Sequence, residues 1–199
     1  MTTAEAIDPA PEVLDLEERN WLPRHCRGDA RAFGKLLNAY RTLVFTFLQR
    51  YGVTRDQRDD LFQEVFLKIH LAASSYRPSK PLRPWIVTIV LNTVRNARRK
   101  QGRERWLAAR AAQMRPDCAP PSDRVVNDRD TVEWLEGRIG ELPAVQREVL
   151  VLSTLKGLRL QDIAAVMQMP ENTIKTHLRR ARVKLAGQLA LRVSGEVTQ

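Results

Sequence analysis

Apolar residues in this chain recur at intervals of three and four almost throughout, and no stretch joins strict alternation to hairpin turns. A sheet with one wet face needs that alternation, so the spacing predicts an all-α protein. Ile174, Leu178, Ala181 and Leu185 fall at i, i+4, i+7 and i+11, a single stripe on a helix. Phe33, Leu36, Leu37, Tyr40 and Val44 repeat the pattern near the amino terminus, and Leu61, Phe62, Val65, Phe66 and Ile69 form another stripe. Ahead of that stripe, Thr54 and Gln57 have capping-box spacing, with a hydroxyl for the N3 amide and a side-chain amide to return to the cap. A helix is expected to begin there.

Proline divides this helical pattern. Pro116, Pro120 and Pro121 cluster in MRPDCAPPSDR, where few core-forming residues occur and no helix can continue. The expected organisation is two small helical domains joined by a flexible linker. An acidic tail covers 1–20, the first unit 21–103, the linker 104–131, the second unit 132–191 and a short tail 192–199. Pro78, Pro81 and Pro84 mark a loop from Tyr76 to Pro84, and Pro84 suits the first turn of a following helix.

Charge is segregated along this frame. Residues 1–30 carry seven acids and three bases, residues 92–115 eight bases and one acid, and residues 171–192 six bases and one acid. Over the 199 residues Lys plus Arg is 33 against 23 for Asp plus Glu, a net charge of +10, which favours polyanionic partners and above all nucleic acid. Cys26 and Cys118 lie far apart without ligand spacing, so neither a disulfide framework nor a metal centre is expected, and the three His at 25, 70 and 177 add no ligand set. The most apolar run, Trp85 to Leu91, is far short of the roughly 20 residues of a membrane span. The first residues lack the layout of a signal peptide. A cytoplasmic protein without membrane insertion and without a cofactor is expected.

The two basic clusters carry the functional reading. On a helix from Trp85 to Arg103, Ile86, Val90, Thr93, Val94 and Ala97 share an inner face, while Thr88, Asn92, Arg95, Asn96, Arg99 and Arg103 share the outer one. Asn92 and Asn96 are poor interior helix formers, and their presence beside guanidiniums, an aromatic and a proline-rich loop suits a pocket for unstacked bases. A solvated, Arg-rich helix end fits the same charges, since cations are favoured near a helix carboxyl terminus. In the second unit Val132, Leu135 and Ile139 form a short stripe, and Val145, Val149 and Leu152 point inward from a helix after Pro143. A short helix bearing Ile163, Ala164 and Met167 then meets a turn at Met169 and Pro170, and a longer helix with a basic face follows. That is a helix-turn-helix layout, in which the second helix enters the major groove. An ordinary basic helical hairpin is the plainer alternative. Asn172, Lys175, Thr176 and Arg179 stand where base edges are read, and Arg180, Arg182 and Lys184 where phosphates are held.

Three segments taken together, DDLFQEVFLKIH (59–70), YRPSKPLRPWIVTIVLNTVRNARRK (76–100) and ELPAVQREVLVLSTLKGLRLQDIAAVMQMPENTIKTHLRRARVKL (141–185), resemble bacterial RNA polymerase sigma factors of the extracytoplasmic-function type of the sigma-70 family. The resemblance covers about residues 21–190. It implies a non-enzymatic subunit that directs core RNA polymerase to promoters, recognises them and opens the strands. Asp60, Gln63, Glu64 and Phe66 would contact the clamp helices of the beta-prime subunit, with the beta subunit also engaged. Tyr76, Arg77, Ser79, Lys80, Trp85, Asn92, Arg95, Asn96 and Arg99 would meet the minus-10 element, and Asn172, Thr173, Lys175, Thr176, Arg179 and Arg180 the minus-35 element. An anti-sigma factor is the implied regulator. The chain departs from the family at His177, where an Arg is usual, which removes a permanent charge from the last helix.

Two other readings use the same residues. A helix-turn-helix regulator that binds an operator without polymerase would explain the second unit but leave the basic surface at 92–103 idle. A nuclease would use Asp56, Asp59, Asp60 and Glu64 to hold a metal, though such a run usually forms a solvated helix face.

Overall fold

A computed structural model describes residues 11–112, 134, 135 and 137–196. Its helices are α1 (Pro11–Cys26), α2 (Ala30–Arg50), α3 (Arg55–Ala72), α4 (Leu82–Ala112), α5 (Ala144–Ser153), α6 (Leu160–Met167) and α7 (Glu171–Glu196), with a 3-10 turn at Ala73–Ser75. Residues 134, 135 and 137–140 are helical as well, and no strand occurs among the described residues. The all-α expectation holds.

Apolar stripes drive the packing. On α2, Leu36, Tyr40, Val44, Phe47 and Leu48 are fully buried, facing Leu61, Val65 and Ile69 of α3 and Ile86, Val90 and Val94 of α4. Asp29 starts α2, its carboxylate accepting from the amides of Arg31 at 3.0 Å and Ala32 at 3.3 Å. A hydrogen bond from Arg24 holds the Asp29 carboxyl below its ordinary value. At the other end Val53 N donates to Leu48 O and Gly52 N to Gln49 O, with Gly52 at φ +79°, a Schellman closure that only a residue free of Cβ strain adopts easily. The expected start of α3 at Thr54 is correct, but its capping box is not formed: Thr54 makes no side-chain cap bond. Gln57 instead accepts from Gln101 Nε2 of α4 at 2.6 Å.

Three boundaries shift. The expected acidic tail contains most of α1, whose Glu18 accepts from Tyr40 Oη at 2.6 Å and whose Glu17 pairs with Lys35 at 3.0 Å, so pairing with α2 orders a segment of low apolar content. Helix α4 runs to Ala112, past the expected end of the first unit at 103. Helix α7 reaches Glu196, into the expected carboxyl-terminal tail. Pro116, Pro120 and Pro121 lie outside the described residues, as does Val132.

The second module folds around Leu142, Val149, Leu152, Ile163, Met167, Ile174 and Ala181. Its core is not separate, because Val149, Leu152, Leu155, Ile163 and Ile174 belong to the same buried cluster as Phe47 and Val94. Between α6 and α7, Met169 N donates to Ala164 O and Gln168 N to Ala165 O, and Gln168 adopts φ +55°. It is the one non-glycine with positive φ among the described residues. A left-handed residue with a Cβ costs about 1 kcal/mol, so Gln168→Gly should raise the urea-unfolding free energy by somewhat under that amount. A decrease would show that the Gln side chain contributes more than the strain it carries.

Candidate nucleic-acid interface

The loop before α4 is shaped by one aromatic residue. Tyr76 Oη donates to Lys80 O at 2.7 Å, Lys80 N to Arg77 O at 3.0 Å, and the Tyr76 ring lies 5.4 Å from that of Trp85. Tyr76 is thus largely buried as a staple across the loop, and what remains of its surface lines the cleft beside Trp85. Its phenol satisfies the loop backbone while its ring fills the gap under Trp85. Arg77, Ser79 and Lys80 are exposed at the rim and Trp85 is half-buried. Arg77, Lys80 and Trp85, together with Thr88, border a cleft of about 360 Å³, roomy enough for one planar base.

Along α4 the two faces separate as the spacing predicts. Ile86, Val90, Thr93 and Val94 are buried, whereas Asn92, Asn96, Arg99 and Arg103 are exposed. Thr93 Oγ1 donates back to Ile89 O, which satisfies its buried hydroxyl. Asn92 and Asn96 open onto a second groove with Lys68 and Leu71 of α3. Arg95 departs from expectation: it is engaged within the protein. Its Nε donates to Glu148 Oε1 at 2.9 Å and its Nη2 to Glu148 Oε2 at 2.7 Å, a fork on a carboxylate that is 4 % exposed. Hydrogen bonding to Glu148 raises the Arg95 pKa further, and the Glu148 carboxylate also accepts from Tyr51 Oη at 3.0 Å. Burial first, then that neighbouring negative charge, pushes Tyr51 up to about 12, so it remains a donor throughout the physiological range.

Helix α3 presents a different surface. Asp60, Gln63 and Glu64 are exposed in line with expectation, and Glu64 pairs with Lys68 at 2.6 Å. Phe66 is 5 % exposed, its ring 4.7 Å from that of Phe62, so it belongs to the core and not to a docking face. The apolar residues that do face outward are its neighbours Leu67, 57 % exposed, and Leu71, 70 % exposed. They continue the ridge of Asp60 and Glu64 at i+7 and i+11. The sequence contained this signal as two leucines outside the main stripe.

In the second module, α6 and α7 form the expected helix-turn-helix. Asn172, Lys175, Thr176, Arg179, Arg180, Arg182 and Lys184 are exposed on one side of α7, while Ile174 and Ala181 are buried beneath it. Thr173 and His177 are half-buried. Thr176 Oγ1 donates to Asn172 O at 2.9 Å, leaving its methyl and an acceptor lone pair outward. Lys175, Arg179 and Arg180 make no ion pair among the described residues, so their charge is available to an anionic ligand. No group of three His, Cys, Asp or Glu among the described residues is placed to hold a metal, and no helix there is long and apolar enough to cross a membrane.

Comparison with known proteins agrees with this geometry. The family model for sigma-70 region 2 matches residues 36–104, and that for sigma-70 region 4 matches residues 133–185. The ECF RNA polymerase sigma-E factor of Haemophilus influenzae is 28% identical over 184 residues, covering 87% of this chain and 96% of its own. The RNA polymerase sigma-H factor of Pseudomonas aeruginosa is 28% identical over 176 residues, covering 83% and 90%. Among solved structures, CnrH in complex with the cytosolic domain of CnrY shares the fold at a TM-score of 0.68 and 22% identity, covering 88% of this chain and 98% of that one. The sigma factor RpoE of Bartonella quintana in complex with the anti-sigma factor NepR has a TM-score of 0.64 at 24% identity, covering 81% and 98%. The region 2 match contains the cleft and the amide ridge, and the region 4 match contains the cationic helix of the helix-turn-helix: the chain belongs to the sigma-70 family of RNA polymerase sigma factors, in its extracytoplasmic-function branch.

Proposed function

We infer that this protein is a dissociable initiation subunit that acts in the cytoplasm with core RNA polymerase and performs no chemistry of its own. The observation that carries this reading is the presence, on one chain, of two DNA-suited surfaces of different character. The first, around the cleft and Asn92, offers amides, an aromatic and cations, the set that holds unstacked bases. The second, on α7, offers an exposed cationic helix of major-groove type. An operator-binding regulator needs the second surface alone. Asp60, Gln63, Glu64, Leu67 and Leu71 on α3 form the docking ridge for the polymerase clamp helices. CnrH and RpoE are each seen with a regulatory protein chain, and an anti-sigma factor that covers these surfaces is the matching partner here.

Arg77, Ser79, Lys80 and Trp85 would frame a captured minus-10 base, with Asn92, Asn96 and Arg99 along the melted strand. On α7, Lys175, Thr176 and Arg179 would read minus-35 base edges, with Asn172, Thr173 and Arg180 beside them. Strand opening is driven by binding energy: the unstacking cost of a few kcal/mol per base is offset by capture of that base.

Transcription reconstituted from core enzyme, the protein and a promoter library tests the whole reading; initiation at the same sites with and without the protein would overturn it. Within that assay, Asn92→Ala should reduce open-complex formation about tenfold, since a lost hydrogen bond to an unpaired base is worth ~1.5 kcal/mol. Polymerase binding should stay unchanged, and equal loss of both would refute the assignment. Lys175→Ala and Arg179→Ala should relax preference within the minus-35 element in a selection experiment. Arg182→Ala should instead weaken all sequences alike and lower the salt slope by roughly one.

A further inference from the structure

We propose that His25 and His70 form a two-imidazole site for a divalent first-row transition-metal ion, and that the bound ion clips the end of α1 to the end of α3. The site lies apart from every surface assigned to DNA, and its test does not depend on those assignments.

The two rings are 45 positions apart in sequence and meet where α1, α2 and α3 converge. His25 Nε2 and His70 Nδ1 share a hydrogen bond of 2.8 Å. Phe33 of α2 backs both rings, 4.7 Å from that of His25 and edge-on to that of His70 at 5.7 Å. The His25 Nδ1 is buried and makes no hydrogen bond among the described residues, so no neighbour there fixes which nitrogen of that ring carries the proton. The hydrogen bond places one N–H between the rings, whereas a metal takes a lone pair from each. On the exposed His70 ring that proton passes to Nε2 through water, a tautomeric shift with no net gain or loss of protons.

The spacing selects the ion. Two nitrogens about 2.0–2.1 Å from a metal stand about 2.9 Å apart at a right angle and about 3.4 Å apart at the tetrahedral angle. The 2.8 Å separation matches the right angle. That is the preference of copper(II) and nickel(II), whereas tetrahedral zinc requires the rings to part by about half an ångström. A tilt of the rings then brings both lone pairs to one point, and water completes the coordination on the open side of His70. Magnesium and calcium prefer oxygen ligands and do not fit. Arg24 is held by Asp29 at 2.7 Å and Lys68 by Glu64 at 2.6 Å, so neither neighbouring cation is turned onto the rings. His25 lies ahead of the residues 36–104 that match sigma-70 region 2, so the pair is set by how this chain packs α1. The other polar ties of that helix, Glu17 to Lys35 and Glu18 to Tyr40, lie two turns before its end.

The test uses the full chain without an affinity tag and with Cys26→Ser and Cys118→Ser, so that no thiol competes for the metal. Calorimetric titration should find one equivalent of copper(II) or nickel(II) bound, both more tightly than zinc(II), and no binding of magnesium. His70→Ala, an exposed change, should weaken nickel(II) binding by at least about tenfold, the smallest cost of removing a group that merely supports a ligand. His25→Asn should do the same. With free nickel(II) at a hundred times its dissociation constant, amide exchange in the last turn of α1 should slow by about a hundredfold, because exchange there requires the metal to leave; in His70→Ala it should not slow. His70→Gln keeps a hydrogen-bonding side chain toward His25 without an imidazole, and covers the case in which His70→Ala loosens α1 by itself; it too should lose nickel(II) binding. Nickel(II) affinity that survives these substitutions overturns the site, as does zinc bound more tightly than nickel. Binding that leaves exchange in α1 unaltered overturns the clip, since the ion would then be held by one ring alone.

Discussion

Leu67→Asp combined with Leu71→Asp should weaken binding to core RNA polymerase by more than about a hundredfold, because two leucines that would lose their exposed area on docking each contribute about 1.5 kcal/mol or more, and a tenfold change corresponds to 1.4 kcal/mol. The carboxylates add the penalty of leaving water without a partner. Both side chains are exposed, so thermal unfolding of the free protein should change little beyond the lower helix propensity of Asp. Titration of labelled core enzyme measures the first quantity and circular dichroism the second. A loss below threefold with intact folding would remove α3 from the docking surface.

Phe47→Ala should have the largest effect on stability. Phe47 is fully buried on α2, its ring stacked 5.5 Å from Tyr51, and Tyr51 in turn donates to Glu148 of the second module. Truncation removes aromatic burial and leaves a cavity, together worth about 3–5 kcal/mol, against a typical total of roughly 5–15 kcal/mol. Calorimetry should show a fall in Tm of about 10 °C. Because the core runs through both modules, the remaining transition should stay single; two resolved transitions would show that the modules unfold independently.

The helical stripes were legible in the sequence because burial on a helix leaves a local period. Ile86, Val90 and Val94, like Ile174 and Ala181, are where spacing places them. The α3 stripe likewise places Phe66 inward and leaves Leu67 outside it, and only the family resemblance set Phe66 on the docking face. Phe66 and Leu67 are one position apart, and the rings of α2 and α3 take the first inward and leave the second outside. The burial of Tyr76, by contrast, has no sequence signature: in a proline-rich loop no period exists, and its packing depends on a hydrogen bond to Lys80 that only the folded turn supplies. The Arg95 to Glu148 pair spans 53 positions and has no local signature, so a residue assigned to DNA from its helix face is held by a distant carboxylate. Length was also underestimated at both ends of the helical run. Helix α1 is ordered by Glu17 and Glu18 against α2, and charge alone had marked it as a tail.

The arginines that reach from α2 and α4 of the first module to residues 148–156 of the second differ in what receives them. Arg50 and Arg83 donate to the main-chain oxygens of Thr154 and Lys156, acceptors that every amino acid carries, whereas Arg95 depends on one particular carboxylate. Saturation mutagenesis of the joint should therefore yield a lopsided map, tolerant at 154 and 156 and sensitive at 50 and 83, with position 148 as the single vulnerable codon on the receiving side.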